Sequence, residues 1–397
     1  MNRLEVREYE SLEAVPLHHH DAAALGRSRG VSVSASAAGP GKWDIKAANY
    51  VGLVQAGDTE VHIRPKVATR RLLFLVAYSL RGQRWQELHT SLSGAEDMVE
   101  AAAHAFSYFA ESALTQGVLQ GYVVVEESLP VLRGRLREAD QMRRRFGLAL
   151  PLEVTYDDFT VDIIENRLIK TAAMLLLRLH NVEPGNRRRL RRIVRKLEGV
   201  NPLHLGQEIP RIAHNRQNTR YREAMLLADL ILNSTSIEAS TSRTTPAVTF
   251  LFDMNKLFED FVTRVFLSVV LHSGHWTSQE TSYLDTSNTI RLRPDLTLIE
   301  DGRPSSVVDL KYKSLALHDL PNADTYQMLA YCLALGLTEG HLIYAAGNEL
   351  PARRVVKSTG TEIVTWTIDL DQEPEELLSS ISTLVTHVSR GATVAIT

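Results

Sequence analysis

The sequence predicts an α+β protein of several domains: a β-rich N-terminal region, a helical middle, and a last part with a mixed sheet flanked by helices. Three observations carry this reading. Short apolar runs separated by turn residues fill the first 70 or so positions. From Ala68 to Leu232 most segments repeat apolar residues at helical spacing. After the polar, low-complexity stretch Ser234 to Thr245, the order becomes helix, hairpin, helix, strand, strand. The expected boundaries are 1–130 for a β-rich domain, 131–243 for a helical, basic middle with its linker, and 244–397 for the last domain.

The elements follow in order. Asn49 to Gln55 and Thr59 to Pro65 read as a hairpin turned at Gly57-Asp58. Ser28 to Lys42, rich in Ser, Gly and Ala, reads as a loop or flexible connector, and His18-His19-His20 as a surface loop with no ordered ligands near it. Helices are predicted over Ala68 to Arg81 and Ala95 to Gln116, the second with Val99, Ala102, Ala103, Phe106 and Phe109 along one side. A β-segment spans Gly121 to Leu136, and Arg137 to Phe146 follows it. Ile163 to Leu179, Arg187 to Leu197 and Tyr221 to Leu232 read as amphipathic helices. A long helix from Val248 to His272 places Phe250, Met254, Leu257, Phe258, Phe261 and Val265 on an apolar stripe. Asp324 to Leu335 is helical, and His341 to Ala346 and Glu362 to Asp369 are strand-like.

Composition removes several function classes. With 44 Lys and Arg against 47 Asp and Glu, the net charge of −3 announces no nucleic-acid partner in bulk, so any basic surface is local. The single cysteine, Cys332, excludes an internal disulfide or a multi-cysteine zinc site and sits among core-like neighbours. No apolar run reaches the roughly 18 residues that cross a bilayer, and the charged start Met1 to Glu8 lacks a signal-peptide core, so the expected location is cytoplasmic, with no membrane partner. Gly39-Pro40-Gly41-Lys42 is no phosphate-binding loop, because Ser36 stands where its first glycine belongs and Trp43 follows the lysine.

The chemistry concentrates at Arg293-Pro294-Asp295 and, fourteen residues on, Asp309-Leu310-Lys311. Thr289 to Glu300 and Ser306 to Tyr312 are strand-like, and Asp301-Gly302-Arg303-Pro304 is turn material. Gly302 lies midway between the two aspartates, so a hairpin symmetric about it sets them opposite each other, Cβ atoms roughly 5 Å apart. Alternation along the strand puts Lys311 on the face of Asp309. Two carboxylates this close repel unless a cation lies between them, and hard oxygen ligands suit Mg²⁺ or Mn²⁺. This is the ligand pattern of a metal-dependent nuclease: Asp295 and Asp309 hold the metal, and Lys311 orients water or offsets charge on the phosphorane. Lys313 shares the strand parity and competes for that role from farther away.

Glu259, inside an apolar helix stripe, is a further candidate as a water-mediated metal ligand or an orienting group, with Asp260 on the solvent side. Gln327 and Tyr331 lie four apart on one helix face and could bond the attacking water or the phosphate. Two basic clusters are candidate nucleic-acid contacts, through Arg143 and Arg144 in the first and Arg187, Arg188, Arg191 and Arg192 in the second. Such cations either track a phosphate backbone or form a solvated face paired with acidic neighbours.

These pieces in this order resemble the McrC family, nuclease subunits of McrBC-type modification-dependent restriction systems. The matching blocks include Val61-His62-Ile63-Arg64-Pro65-Lys66, Leu132-Arg133-Gly134-Arg135-Leu136, Tyr156 to Thr160, Glu165-Asn166-Arg167-Leu168, Phe252 to Glu259, Arg293-Pro294-Asp295, Val308 to Lys313 and Tyr326 to Tyr331. The resemblance implies a C-terminal PD-(D/E)XK nuclease fold with Asp295, Asp309 and Lys311 as its catalytic set. It also implies an N-terminal region docked on an McrB-like AAA+ GTPase hexamer, whose GTP hydrolysis the docked subunit stimulates, and double-stranded DNA with modified cytosine as substrate. A non-catalytic adaptor that activates an AAA+ motor, its nuclease site vestigial, is the alternative; a stand-alone repair nuclease fits the large non-nuclease portion less well.

Overall fold

The computed structural model describes residues 2–82, 86, 98–204, 212, 215–237, 247–271, 274–313, 321–345 and 351–389. By packing, the chain divides into two units: Met1–Met98 with Glu238–Thr397, and Val99–Ile237. Most of the Ser234 to Thr245 stretch, positions 95–97 of the Ala95 to Gln116 helix, and His272 and Ala346 lie outside the described residues.

The first unit opens with β1 (Asn2–Arg7), β2 (Ser11–Pro16), α1 (His19–Arg27), β3 (Val31–Ala35), β4 (Lys42–Ala47), β5 (Tyr50–Ala56), β6 (Thr59–Arg64) and α2 (Thr69–Arg81). The β5–β6 hairpin forms as its Gly57-Asp58 turn predicts, with Gly57 at φ 57. Strand β1 runs parallel to β6, while β2, β4 and β3 make a small separate sheet. Helix α1 packs Ala24 and Leu25 into a core with Ile45, Val54, Val61 and Ile63. Two expectations are corrected here. The stretch Ser28 to Lys42 contains β3, because Val31 and Val33 alternate and find β4 as a partner. The histidine run opens α1 rather than a loop, with its side chains exposed.

The second unit contains α3 (Met98–Ala113), β7 (Gly121–Leu129), β8 (Arg135–Leu136), α4 (Glu138–Arg145), β9 (Leu152–Thr160), α5 (Ile164–Arg178), α6 (Pro184–Lys196), α7 (Arg222–Ser234) and β10 (Thr235–Ile237). Strands β7 and β9 form a long antiparallel ribbon with β8 on its other edge. One side of the ribbon stays open: Tyr122, Val124 and Phe159 are exposed, and the Tyr122 and Phe159 rings lie 5.0 Å apart across the strands.

The chain then returns to the first unit with β11 (Ala247–Asp253), α8 (Met254–Ser268), β12 (His275–Ser278), β13 (Ser282–Tyr283), β14 (Arg291–Leu292), β15 (Leu296–Glu300), β16 (Arg303–Lys311), α9 (Asn322–Leu335), β17 (Glu339–Tyr344), β18 (Ala352–Val355), β19 (Glu362–Thr367) and α10 (Pro374–Ser389). The helix expected from Val248 begins only at Met254. Residues 247–253 pair antiparallel with β5, which ties the N-terminal strands to the last part of the chain. A strand buried on both faces carries a continuous apolar run, which periodicity cannot separate from a helix. Asp253 ends the strand and caps α8, its carboxylate accepting from the amides of Asn255 and Lys256.

The sheet around the site has the order β12-β15-β16-β17-β19-β18, parallel at β16–β17–β19 and antiparallel elsewhere. On one face α9 buries Met328, Tyr331 and Cys332 against Val307, Leu342, Tyr344 and Ile363. The opposite parity of β16 meets α8, where the Phe258 and Tyr312 rings lie 6.1 Å apart. A close approach at Gly340 lets α9 settle on the sheet: a Cβ there would lie 2.4 Å from Met328 Sδ and 2.6 Å from Cys332 Sγ. Gly340→Ala is therefore expected to lower stability by about 1–3 kcal/mol, measured by denaturant unfolding, because helix or sheet must shift.

The N-terminal strands also reach the end of β16. Glu8 is fully buried and accepts from Tyr312 Oη (2.8 Å) and the Lys66 amide (2.7 Å). Burial lifts its carboxyl above the usual range, and these two donors oppose the shift. Residues about 300 positions apart thus brace the strand end that carries Lys311.

Candidate active site

A two-residue turn and one bulge assemble the site. Asp301 and Gly302 adopt φ 48 and 75, the left-handed pair that an Asp-Gly hairpin turn needs. Pairing begins at Glu300 with Arg303 and Ile299 with Pro304, then shifts to Leu298 with Ser306 and ends at Leu296 with Val308. Without that extra residue, Asp295 would fall level with Val308, a residue pointing into the other face. The bulge brings Asp295 level with Asp309, one pair beyond the ladder. It lies beside Pro304, which has no amide to give a ladder bond. The strand expected from Thr289 is broken at Arg293-Pro294, and β14 pairs with β13 in a hairpin of its own.

Asp295, Asp309 and Lys311 line one cavity of about 390 Å³, together with Glu259, Gln327, Tyr331, Arg293 and, from the turn between β1 and β2, Tyr9. Lys311 Nζ lies 2.6 Å from Asp309 Oδ2 and donates to Gln327 Oε1 at 3.1 Å. Gln327 Nε2 donates to Tyr331 Oη at 2.7 Å, and Tyr331 donates to the Arg293 carbonyl at 3.3 Å. Asp295 Oδ2 accepts the Leu310 amide at 2.7 Å. The competing Lys313 pairs with Asp324 at 2.7 Å. Asp260 is exposed, as expected of the solvent side of α8.

Two contributors were not apparent in the sequence. Gln279, in the bend after β12 at φ 53, donates its side-chain amide to Glu259 and accepts from Arg293. Its own amide is bonded to the Asp295 carbonyl at 3.0 Å. Tyr9 comes from the far end of the sequence. Neither belongs to a motif, and only the fold brings them here.

The electrostatics are those of carboxylates buried close together. Burial first, and the Asp309 carboxylate second, push the Asp295 carboxyl up to about 8. Asp309, 2% exposed, is likewise raised by burial, with the Lys311 ammonium opposing. Lys311 itself loses by burial but gains more from Asp309, so it stays above the usual lysine range. Glu259 is raised, mainly by burial. Asp309 Oδ2 is buried without a directed hydrogen bond, its ion pair with Lys311 aside. Among the described residues no group of three His, Cys, Asp or Glu side chains converges. Two hard carboxylates with lone pairs to spare fit Mg²⁺ or Mn²⁺, which complete their shells with water and substrate oxygens.

The basic clusters sort by contact. Arg187 donates to the carbonyls of Leu177 and Leu179, and Arg192 pairs with Glu111 at 2.8 Å. Arg143 pairs with Asp140 at 2.9 Å, and Arg144 with Glu153 at 3.5 Å. Arg188 and Arg191 are exposed on α6 and form no ion pair among the described residues.

Comparison with known proteins decides the family. The McrBC 5-methylcytosine restriction system component family matches residues 45–345, about three quarters of the chain. The chain belongs to this McrBC family. A relative from Escherichia coli (strain K12), the type IV methyl-directed restriction enzyme EcoKMcrBC, is 24% identical over 290 residues, 66% of this chain and 82% of that protein. Among solved structures, a chain in the refined half-complex from the tetradecameric assembly of Thermococcus gammatolerans McrB AAA+ hexamers with bound McrC superposes with a TM-score of 0.62. It is 20% identical and aligns over 98% of this chain and 100% of that one, so the two share a fold. The cryo-EM structure of the Thermococcus gammatolerans McrBC complex contains a chain aligned over 68% of this one and 90% of its own length, with a TM-score of 0.43 and 21% identity. Among the described residues of this McrBC-family chain, no helix is long and apolar enough to cross a membrane.

Proposed function

We propose that this chain is the DNA endonuclease subunit of a GTP-dependent restriction complex directed at modified cytosine, with a PD-(D/E)XK nuclease built on the β15–β16 hairpin. The observation that carries the reading is the convergence of Asp295, Asp309 and Lys311 in one cavity. Asp295 and Asp309 would hold Mg²⁺ or Mn²⁺. Such a cation, when bound, polarises a phosphate oxygen and lowers the pKa of water. Lys311, held beside Asp309, donates hydrogen bonds that orient the water or offset charge on the phosphorane. Gln327 fixes the ammonium by accepting from it, and Tyr331 fixes Gln327 in turn. Glu259, raised and held by Gln279 at the cavity wall, is placed to receive a proton or orient water.

The partner in this reading is an McrB-like AAA+ GTPase hexamer, docked through residues 1–130 in the cytoplasm. The exposed Tyr122 and Val124 lie in that segment beside Phe159, an apolar patch of the kind that marks protein contacts. Arg188 and Arg191 supply open cations for the DNA backbone. The intact acid pair and lysine favour catalysis over an adaptor role.

Reconstitution tests the proposal: cleavage of cytosine-methylated duplex DNA is expected only with this chain, the AAA+ partner, GTP and Mg²⁺ together. Rapid cutting by the isolated chain without GTP contradicts it. Deleting residues 1 to 130 is a poor substitute, because it removes the strands that pair with β11, the Glu8 brace on Tyr312, and Tyr9 from the cavity wall.

A further inference from the structure

Among the described residues three cations line the cavity, and two are neutralised: Lys311 by Asp309 at 2.6 Å and Lys313 by Asp324 at 2.7 Å. Arg293 has no ion pair among the described residues. Its guanidinium is nonetheless held. Nε donates to the Gln279 carbonyl at 3.2 Å and Nη2 to Gln279 Oε1 at 2.6 Å. Its backbone carbonyl accepts from Tyr331. Among the described residues no partner is recorded for Nη1, which leaves its two N–H donors for a ligand. Gln279 uses every polar group it has to build this arrangement, on Arg293, Glu259 and Asp295.

We infer that Arg293 grips a non-bridging phosphate oxygen of the DNA strand at the cleavage site, and that Gln279 is the positioning residue that aims it. This rests on the nuclease reading above and adds the residue that binds the substrate's charge. An arginine anchored along one edge has already given up rotamer freedom, so little more is lost when it meets a phosphate. The charge is also left unspent in a cavity whose other cations are paired, which is what an anionic substrate requires.

The test measures KM for methylated duplex DNA, kcat and the salt dependence of cleavage in the reconstituted complex, with Asp309→Asn run alongside. Arg293→Ala is expected to raise KM about ten- to a hundredfold, the range of one charge-assisted hydrogen bond, and to reduce the salt slope by about one. Arg293→Lys keeps the charge and should restore the slope while recovering KM only in part. Gln279→Ala should raise KM less, and combining it with Arg293→Ala should add nothing further to KM. Wild-type KM and salt slope in Arg293→Ala, with Asp309→Asn inactive, overturn this inference alone. Cleavage by Asp309→Asn overturns the nuclease reading beneath it.

Discussion

Asp309→Asn is expected to lower DNA cleavage by the reconstituted complex on the order of a thousandfold or more, with stimulation of the partner GTPase unchanged. The substitution is isosteric at a site 2% exposed, so it leaves the packing of Val308 and Leu310 in place. It removes half of the carboxylate pair and the charge that holds Lys311. The apolar patch assigned to docking lies in the other packing unit, so the two activities should separate. The check is a matched pair of assays, DNA cleavage and GTP turnover, on the same preparation. Undiminished cleavage would show that the scissile phosphate is processed elsewhere.

The second large effect is a pH dependence of metal binding. Protons and the cation compete for the same carboxylates, and burial with the Asp309 charge holds Asp295 protonated up to about 8. Affinity for Mn²⁺ should therefore rise with pH through the range in which the raised pair ionises and level off above it. The folded-state pKa of Asp295 is raised. Its contribution to the stability of the metal-free protein is thus complete below the unfolded value near 3.8 and is lost as pH rises through about 8. Asp295→Asn should accordingly stabilise the metal-free protein at pH 8 while destroying metal binding, a trade common where function needs a strained site. Thermal unfolding of both proteins at pH 5 and pH 8 with a chelator measures it; equal pH dependence would refute the assignment.

The hairpin that carries the candidate site is legible because its signals are local. An Asp-Gly turn sets the register, and alternation puts Lys311 beside Asp309. The bulge was not legible, although symmetry about Gly302 presupposes an odd residue, and that residue is the one inserted beside Pro304. Helices α5 and α6 follow their periodic stripes closely, and α9 spans nearly its expected range. Strand β11 has the sequence pattern of a helix because burial on both faces erases the period-two alternation. Gln279, Tyr9 and Glu8 act through long-range contacts that no spacing encodes. The basic clusters show the opposite limit, since counting arginines could not separate Arg187, which caps carbonyls, from the open Arg188.

One isotherm bears on all of this: Mn²⁺ titrated calorimetrically into the full chain and its Asp309→Asn variant at pH 8. The account predicts a single site in the native protein that disappears in the variant. Equal binding by both proteins would contradict it, because the cation would then be held by something other than the paired aspartates.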